Sequence, residues 1–211
     1  MSASPKPKKV HPTRLKLIEA VLTLRKSHTY EDITVEQVLD VSGISRGSLY
    51  HHFSDFFDLI EAAEIVRFTK YVDVSIARIS DVMAKAHNRA EVIEGIREIT
   101  RETQSVQMHS VRMDRIAALA RAQGNPRFQK ALGAEQDRLT QALAALVSQA
   151  QSKGFADPAL DPHSVAVFIQ AYTLGRAVDE ISDSEKNHDS WNQLIDLVVE
   201  KVFVAPPASA S

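Results

Sequence analysis

The chain has 211 residues, 44% hydrophobic, 25% charged and 6% aromatic, with a net charge of −2 and no cysteine. That length suits one medium domain or a small one joined to a larger one, and the missing cysteines exclude disulfides, Cys-ligated zinc, iron–sulfur clusters and thiol catalysis. The charge is divided: residues 1–53 carry eight Lys or Arg against five acids, the remainder 17 against 22, which points to a polyanion partner for the first quarter alone.

Residues 1–11 are a basic, Pro-containing tail, read as disordered. No apolar signal-peptide core follows it, and the uncharged stretch His163–Gly175 is interrupted by Ser, Gln and Thr. A bilayer span needs about 20 mainly apolar residues, so a cytoplasmic protein without a membrane partner is expected. Between Pro12 and Pro126 there is no proline and glycine is sparse, the composition of helix after helix. The first helix covers about Pro12 to Lys26, with Leu15, Ile18 and Leu22 on one face. Thr34 and Gln37 form a capping box for the second. A break at Ser42-Gly43 precedes a short third helix from Ser45 to near Phe53. Ser54 and Asp55 open a fourth, reaching as far as Lys85.

Asn88 with Glu91 caps a helix over 89–105, and another covers 107–122. Asn125-Pro126 and Asp161-Pro162 each place an N-cap before a proline at the first helical position. The first opens a long helix closed near Gly154, the second one over 162–181. Ser190 and Gln193 cap a last helix over 190–203, and residues 205–211 form a frayed tail. The class is all-α, with about nine helices and no run of alternating polarity to support a strand.

Residues 34–53 carry the chemistry. A capped helix, a three-residue turn with Gly43 and a second short helix make a helix-turn-helix. Val35, Val38, Leu39, Ile44 and Leu49 pack inward and leave Ser45, Arg46, Ser48, Tyr50 and His51 outward, at the end of a helix that meets base edges in a major groove. Arg46 suits guanine O6/N7 or a phosphate. The bland alternative is a helical hairpin inside an all-α enzyme or small-molecule-binding protein; a protein–protein adaptor is a third.

The stretch about 12–62 resembles the tetracycline-repressor (TetR) family of bacterial regulators, in Thr34-Val35, Ser42-Gly43-Ile44-Ser45, Gly47-Ser48-Leu49-Tyr50 and His52-Phe53, ungapped. The resemblance implies a helix-turn-helix head over 12–58, a ligand-binding and dimerisation body over 59–204, and DNA contacts at Thr34, Ser45, Arg46, Ser48, Tyr50, His51 and His52. It implies a homodimeric repressor on a palindromic operator of double-stranded DNA, released by a small-molecule effector that shifts helix four. No cofactor, metal site, catalytic residue or enzymatic activity is expected. Two departures stand out. Phe56 occupies the region of a usual lysine, a phosphate contact for which Lys6, Lys8 and Lys9 would compensate, and Thr29 replaces a usual glycine before Tyr30.

In the body, the candidate effector contacts are Phe68, Val72, Met108, Met113, Ile116, Phe168 and Tyr172, with Arg112 or Arg176 as polar anchor. The candidate dimer residues, on the wide apolar stripes of 162–181 and 190–203, are Val165, Ile169, Trp191, Leu194, Ile195, Val198 and Val202. Arg176 and Glu180, four apart, suit an ion pair. Gly43-Ile44-Ser45-Arg46-Gly47 matches the G-x-S-x-G nucleophile elbow, but that motif needs a preceding strand and a sheet. Glu185-Lys186-Asn187-His188 has di-iron spacing, but only once and in a polar loop, where a second copy and further carboxylates are required.

Overall fold

The computed structural model describes residues 11–182 and 188–200. Within these it is all-α, without a strand, in agreement with the sequence reading. The tail lysines, Glu185–Asn187 of the Glu-x-x-His motif, Val202 and the C-terminal tail lie outside the described residues. Contacts divide the chain into two compact units, residues 1–68 and 69–211.

The first unit holds α1 (Pro12–Leu24), α2 (Val35–Ser42), α3 (Arg46–His52) and the start of α4 (Phe56–Lys85). Each start has a local cause. His11 Nδ1 accepts from the Thr13 N–H at 3.3 Å ahead of Pro12. The Thr34–Gln37 box is closed both ways, at 3.3 and 2.8 Å. Asp55 accepts from the Asp58 N–H at 2.7 Å, while Asp58 accepts from the Ser54 N–H at 3.0 Å. Gly43 ends α2 at φ 64°, a left-handed conformation that costs a glycine nothing. Leu17, Val21, Val38, Leu49, Phe53 and Leu59 are buried together, so all four helices share one core. Phe56 packs against that core, which explains an apolar side chain where a lysine is usual. Thr29 needs no left-handed backbone: its hydroxyl donates to Asp32 at 2.6 Å and shapes the turn.

The second unit takes the rest of α4, α5 (Arg89–Thr103), a 3-10 turn at Val106–Met108, α6 (His109–Ala122), α7 (Pro126–Ser152), α8 (Pro162–Gly175), α9 (Ala177–Glu180) and α10 (His188–Val198). Its most extensive packing joins α7 to α8. Gly154, at φ 72°, closes α7 in a Schellman motif: its N–H donates to Gln151 O at 2.9 Å and the Phe155 N–H to Ala150 O at 2.8 Å. Two expectations need correction. The helix expected over 162–181 is interrupted after Gly175, where Arg176 turns inward to Glu180. The last helix is already helical at His188, so Ser190 lies inside it rather than at its N-cap. No described helix is long and apolar enough to cross a membrane.

Candidate functional site

In the first unit the seven expected DNA contacts sit at the N-cap of α2 and along the N-cap and body of α3. Thr34 and Ser45 spend their hydroxyls first as caps; the Ser45 Oγ accepts from the Ser48 N–H at 3.3 Å and donates to Ser48 Oγ at 3.2 Å. That fixes the first turn of α3 and leaves Arg46, Tyr50 and His51 exposed. Leu49, wholly buried beside Val38 and Phe53, anchors the opposite face. The side chains are thus displayed by packing behind them rather than by a flexible loop.

Arg46 is paired with Glu36, projected from α2 on the same exposed surface. The sequence reading missed Glu36; its signal was an acid on the first turn of α2, ten residues before the cation. An exposed pair of this kind is screened by solvent and weak, so an incoming phosphate or base edge can displace it. His52 is half-buried, its ring 4.6 Å from that of His11 and 5.1 Å from that of His51. Its backbone oxygen accepts from Arg14 at 2.9 Å, and the same guanidinium lies 4.0 Å from the centre of the Phe53 ring. Desolvation, reinforced by His11, His51 and Arg14, holds the His52 imidazole below its usual pKa. Arg14 and His11 therefore belong to this surface, although they lie far from α3 in sequence.

The second unit contains a cavity of about 100 Å³. Its walls come from α4, α5, α7, the segment 155–160, α8 and Val199. Of the nine candidate effector contacts, Tyr172 lines it; Phe68, Val72, Met108, Arg112, Met113, Ile116, Phe168 and Arg176 do not. Phe68 belongs to the first unit, and Val72 is wholly buried.

The two proposed polar anchors are committed elsewhere. Arg112, 2% exposed, donates to the Thr103 and Ser105 carbonyls at 2.6 and 3.1 Å and clasps Glu180; Arg176 reaches Glu180 at 3.3 Å. Burial pushes the Glu180 carboxyl up, but Arg112 and His109 outweigh it and hold it below the usual range. The i, i+4 pair read from sequence is therefore present, shared with a third residue sixty-eight positions from Glu180. Apart from Tyr172, the wall residues went unread as effector contacts because their apolar periodicity is that of any helix core; Val82, Ile96 and Leu146 differ from filled core only by the void beside them.

The candidate dimer residues divide. Val165 and Ile195 are turned into the chain's own core, Ile169, Trp191 and Val198 are half-buried, and Leu194 is 52% exposed. Leu197 on α10 and Val167 and Phe168 on α8 are exposed besides. Amphipathic pattern alone does not tell which part of a wide stripe its own chain covers.

No family model matches the chain, and neither does any curated protein. Solved structures do. A protein of Mesorhizobium loti MAFF303099 ascribed to the TetR family of transcriptional regulators has a TM-score of 0.70 at 15% identity, over 92% of this chain and 97% of that one. GusR of Salmonella enterica has a TM-score of 0.62 at 20% identity, over 93% and 97%. The ketosteroid transcriptional regulator KstR2 of Mycobacterium tuberculosis has 0.53 at 20%, over 94% and 98%. The chain has the fold of these regulators across nearly its whole length.

Proposed function

We propose that the protein is a sequence-specific DNA-binding transcriptional regulator, of repressor type, that binds a palindromic operator as a homodimer and is released by a small molecule held in the second unit. It acts through binding and not through catalysis. The observation that carries this reading is the capped, outward face of α3, with Arg46, Tyr50 and His51 exposed opposite a buried Leu49. Such a helix enters a major groove, and two of them about 34–36 Å apart address half-sites one helical turn apart.

Release requires an effector that favours the non-binding state. A fall from 99% to 1% binding-competent needs about 10⁴-fold preference, about 5.5 kcal/mol. Helix α4 contributes to both units and is the element through which the second would act on the first. Selection of bound genomic fragments supplies the operator for a binding titration. The apparent affinity is expected to fall steeply with salt, by about 0.9 in logarithmic slope per neutralised phosphate. Arg46→Ala is expected to cost about 1–3 kcal/mol if Arg46 reads a base. Salt-independent binding together with an unchanged Arg46→Ala affinity would remove α3 as the reading element.

A further inference from the structure

We infer that the cavity of the second unit takes an uncharged, mainly apolar small molecule bearing one hydrogen-bonding oxygen, seated against the Thr100–Tyr172 hydroxyl pair. This names the ligand class within the regulator reading above and rests on that reading for its biological role. No Lys, Arg or His lines the cavity, and its polar side chains are Thr100, Asp157 and Tyr172. The Asp157 carboxylate is engaged, accepting from the Ala159 N–H at 2.8 Å. Thr100 and Tyr172 are both buried, and their hydroxyl oxygens are 3.1 Å apart. Two hydroxyls bonded to each other keep one O–H and free lone pairs, so a third oxygen completes them.

An anion entering these walls would lose its hydration and find no counter-charge, a far larger penalty than burying a hydroxyl or carbonyl with a partner, and a cation would find only the half-exposed Asp157 carboxylate, already accepting from the Ala159 N–H. The buried cation that would suit an anion, Arg115, lies elsewhere: its guanidinium donates to the Tyr71 hydroxyl at 2.9 Å and sits over that ring. Tyr71 is eight residues before Ile79, the first wall residue of α4, or about 12 Å of helix. The volume of about 100 Å³ sets the size near that of a single six-membered ring, since an apolar cavity of about 150 Å³ holds benzene.

The site carries its own reporter. Trp191, the chain's one tryptophan, packs against the Tyr172–Ile195–Val199 cluster, and its indole N–H donates to Gln104 Oε1 at 3.0 Å. Gln104 in turn donates to the Tyr172 and Thr173 carbonyls, each at 3.4 Å. A molecule seated at Tyr172 therefore perturbs the bonds that join α5, α8 and α10.

The test is a titration of the full chain, read by Trp191 emission, with four probes built on one six-membered ring: cyclohexanol, methylcyclohexane, cyclohexanecarboxylate and cyclohexylammonium. Cyclohexanol is expected to give a saturable change, with both ions at least about tenfold weaker. Tyr172→Phe should weaken cyclohexanol about three- to tenfold, the worth of one hydrogen bond, and leave methylcyclohexane unchanged. Thr100→Val is read in the same way if Tyr172→Phe does not fold. Ala150→Leu, which fills the cavity, should abolish binding of both neutral probes. Tighter binding of either ion, no saturable response to cyclohexanol, or undiminished binding in Ala150→Leu overturns the assignment. Cyclohexanol affinity unchanged from wild type in both Tyr172→Phe and Thr100→Val overturns the hydroxyl contact. Operator binding by the same preparation separates the two readings: retained without cyclohexanol binding, it sinks the ligand class alone; lost while cyclohexanol binds, it sinks the regulator alone.

Discussion

At the scale of the residue, the first unit shows how little free charge lies on its presented helix. Arg46 already has a partner in Glu36, and the His51 ring, 5.1 Å away, opposes protonation of His52. For His52 the sign of the pH effect follows. Its pKa in the free head lies below the usual value, so the unfolded chain takes the proton more readily, and head stability falls as pH drops through about 6.5 and below. In the proposed operator complex a phosphate beside the ring would reverse that bias, so DNA binding is expected to take up a proton and operator affinity to rise as pH falls from 7.5 to 5.5. Each pKa unit regained is worth up to about tenfold. The measurement is the difference between the wild-type profile and that of His52→Gln at constant salt, which isolates His52 from the neighbouring His11 and His51. Identical slopes would show that His52 meets no phosphate.

At the scale of the element, most helix starts were legible in the sequence, because capping is a local bond between residues three apart. Thr34, Asn88, Asn125 and Asp161 all cap where expected. Ser190 failed because the helix begins before it, and a serine inside a helix has the same sequence neighbourhood as one at its start. The break after Gly175 was not legible either, and there Arg112 on α6 joins Arg176 on one carboxylate, a meeting of two helices that spacing along one does not show. Packing between α4 and α5 gives a test at this scale. A Cβ on Gly95 would collide with a methyl of Val82. The helix propensity of alanine returns about 1 kcal/mol, against about 1–3 kcal/mol for overpacking. Gly95→Ala is therefore expected to lower stability, by up to about 2 kcal/mol in denaturant unfolding, and to do so less in a Val82→Ala background. Equal effects in both backgrounds would show that the two side chains do not compete for the same space.

At the scale of the whole molecule, the proposed homodimer has to use what the single chain leaves exposed. Val165 and Ile195 are spent in the chain's own core, which moves the expectation to Leu194 and Leu197 on α10. Leu194→Lys combined with Leu197→Lys should convert a dimer to a monomer in sedimentation equilibrium. Since two heads are needed for a palindrome, operator affinity should fall with it, while helical content stays unchanged. A variant that remains dimeric would place the interface elsewhere. The ion-pair set of Arg97 and Arg101 with Asp196 and Glu94 ties α5 to α10 within one chain and needs no second copy.

The sequence by itself determined the all-α class, the caps, the turn at Gly43 and the display of Arg46, Tyr50 and His51. These rest on contacts between residues close in the chain, where type and spacing carry the information. Only the tertiary structure decided that Glu36 meets Arg46, that Arg14 holds the end of α3, that Arg112 is a buried structural residue, and that Tyr172 with Thr100 forms the polar point of an apolar cavity. Each of those joins groups from different helices. A void, or a carboxylate shared by two arginines, depends on how helices are laid against one another, and periodicity along one helix says only which side faces inward, not what it meets there.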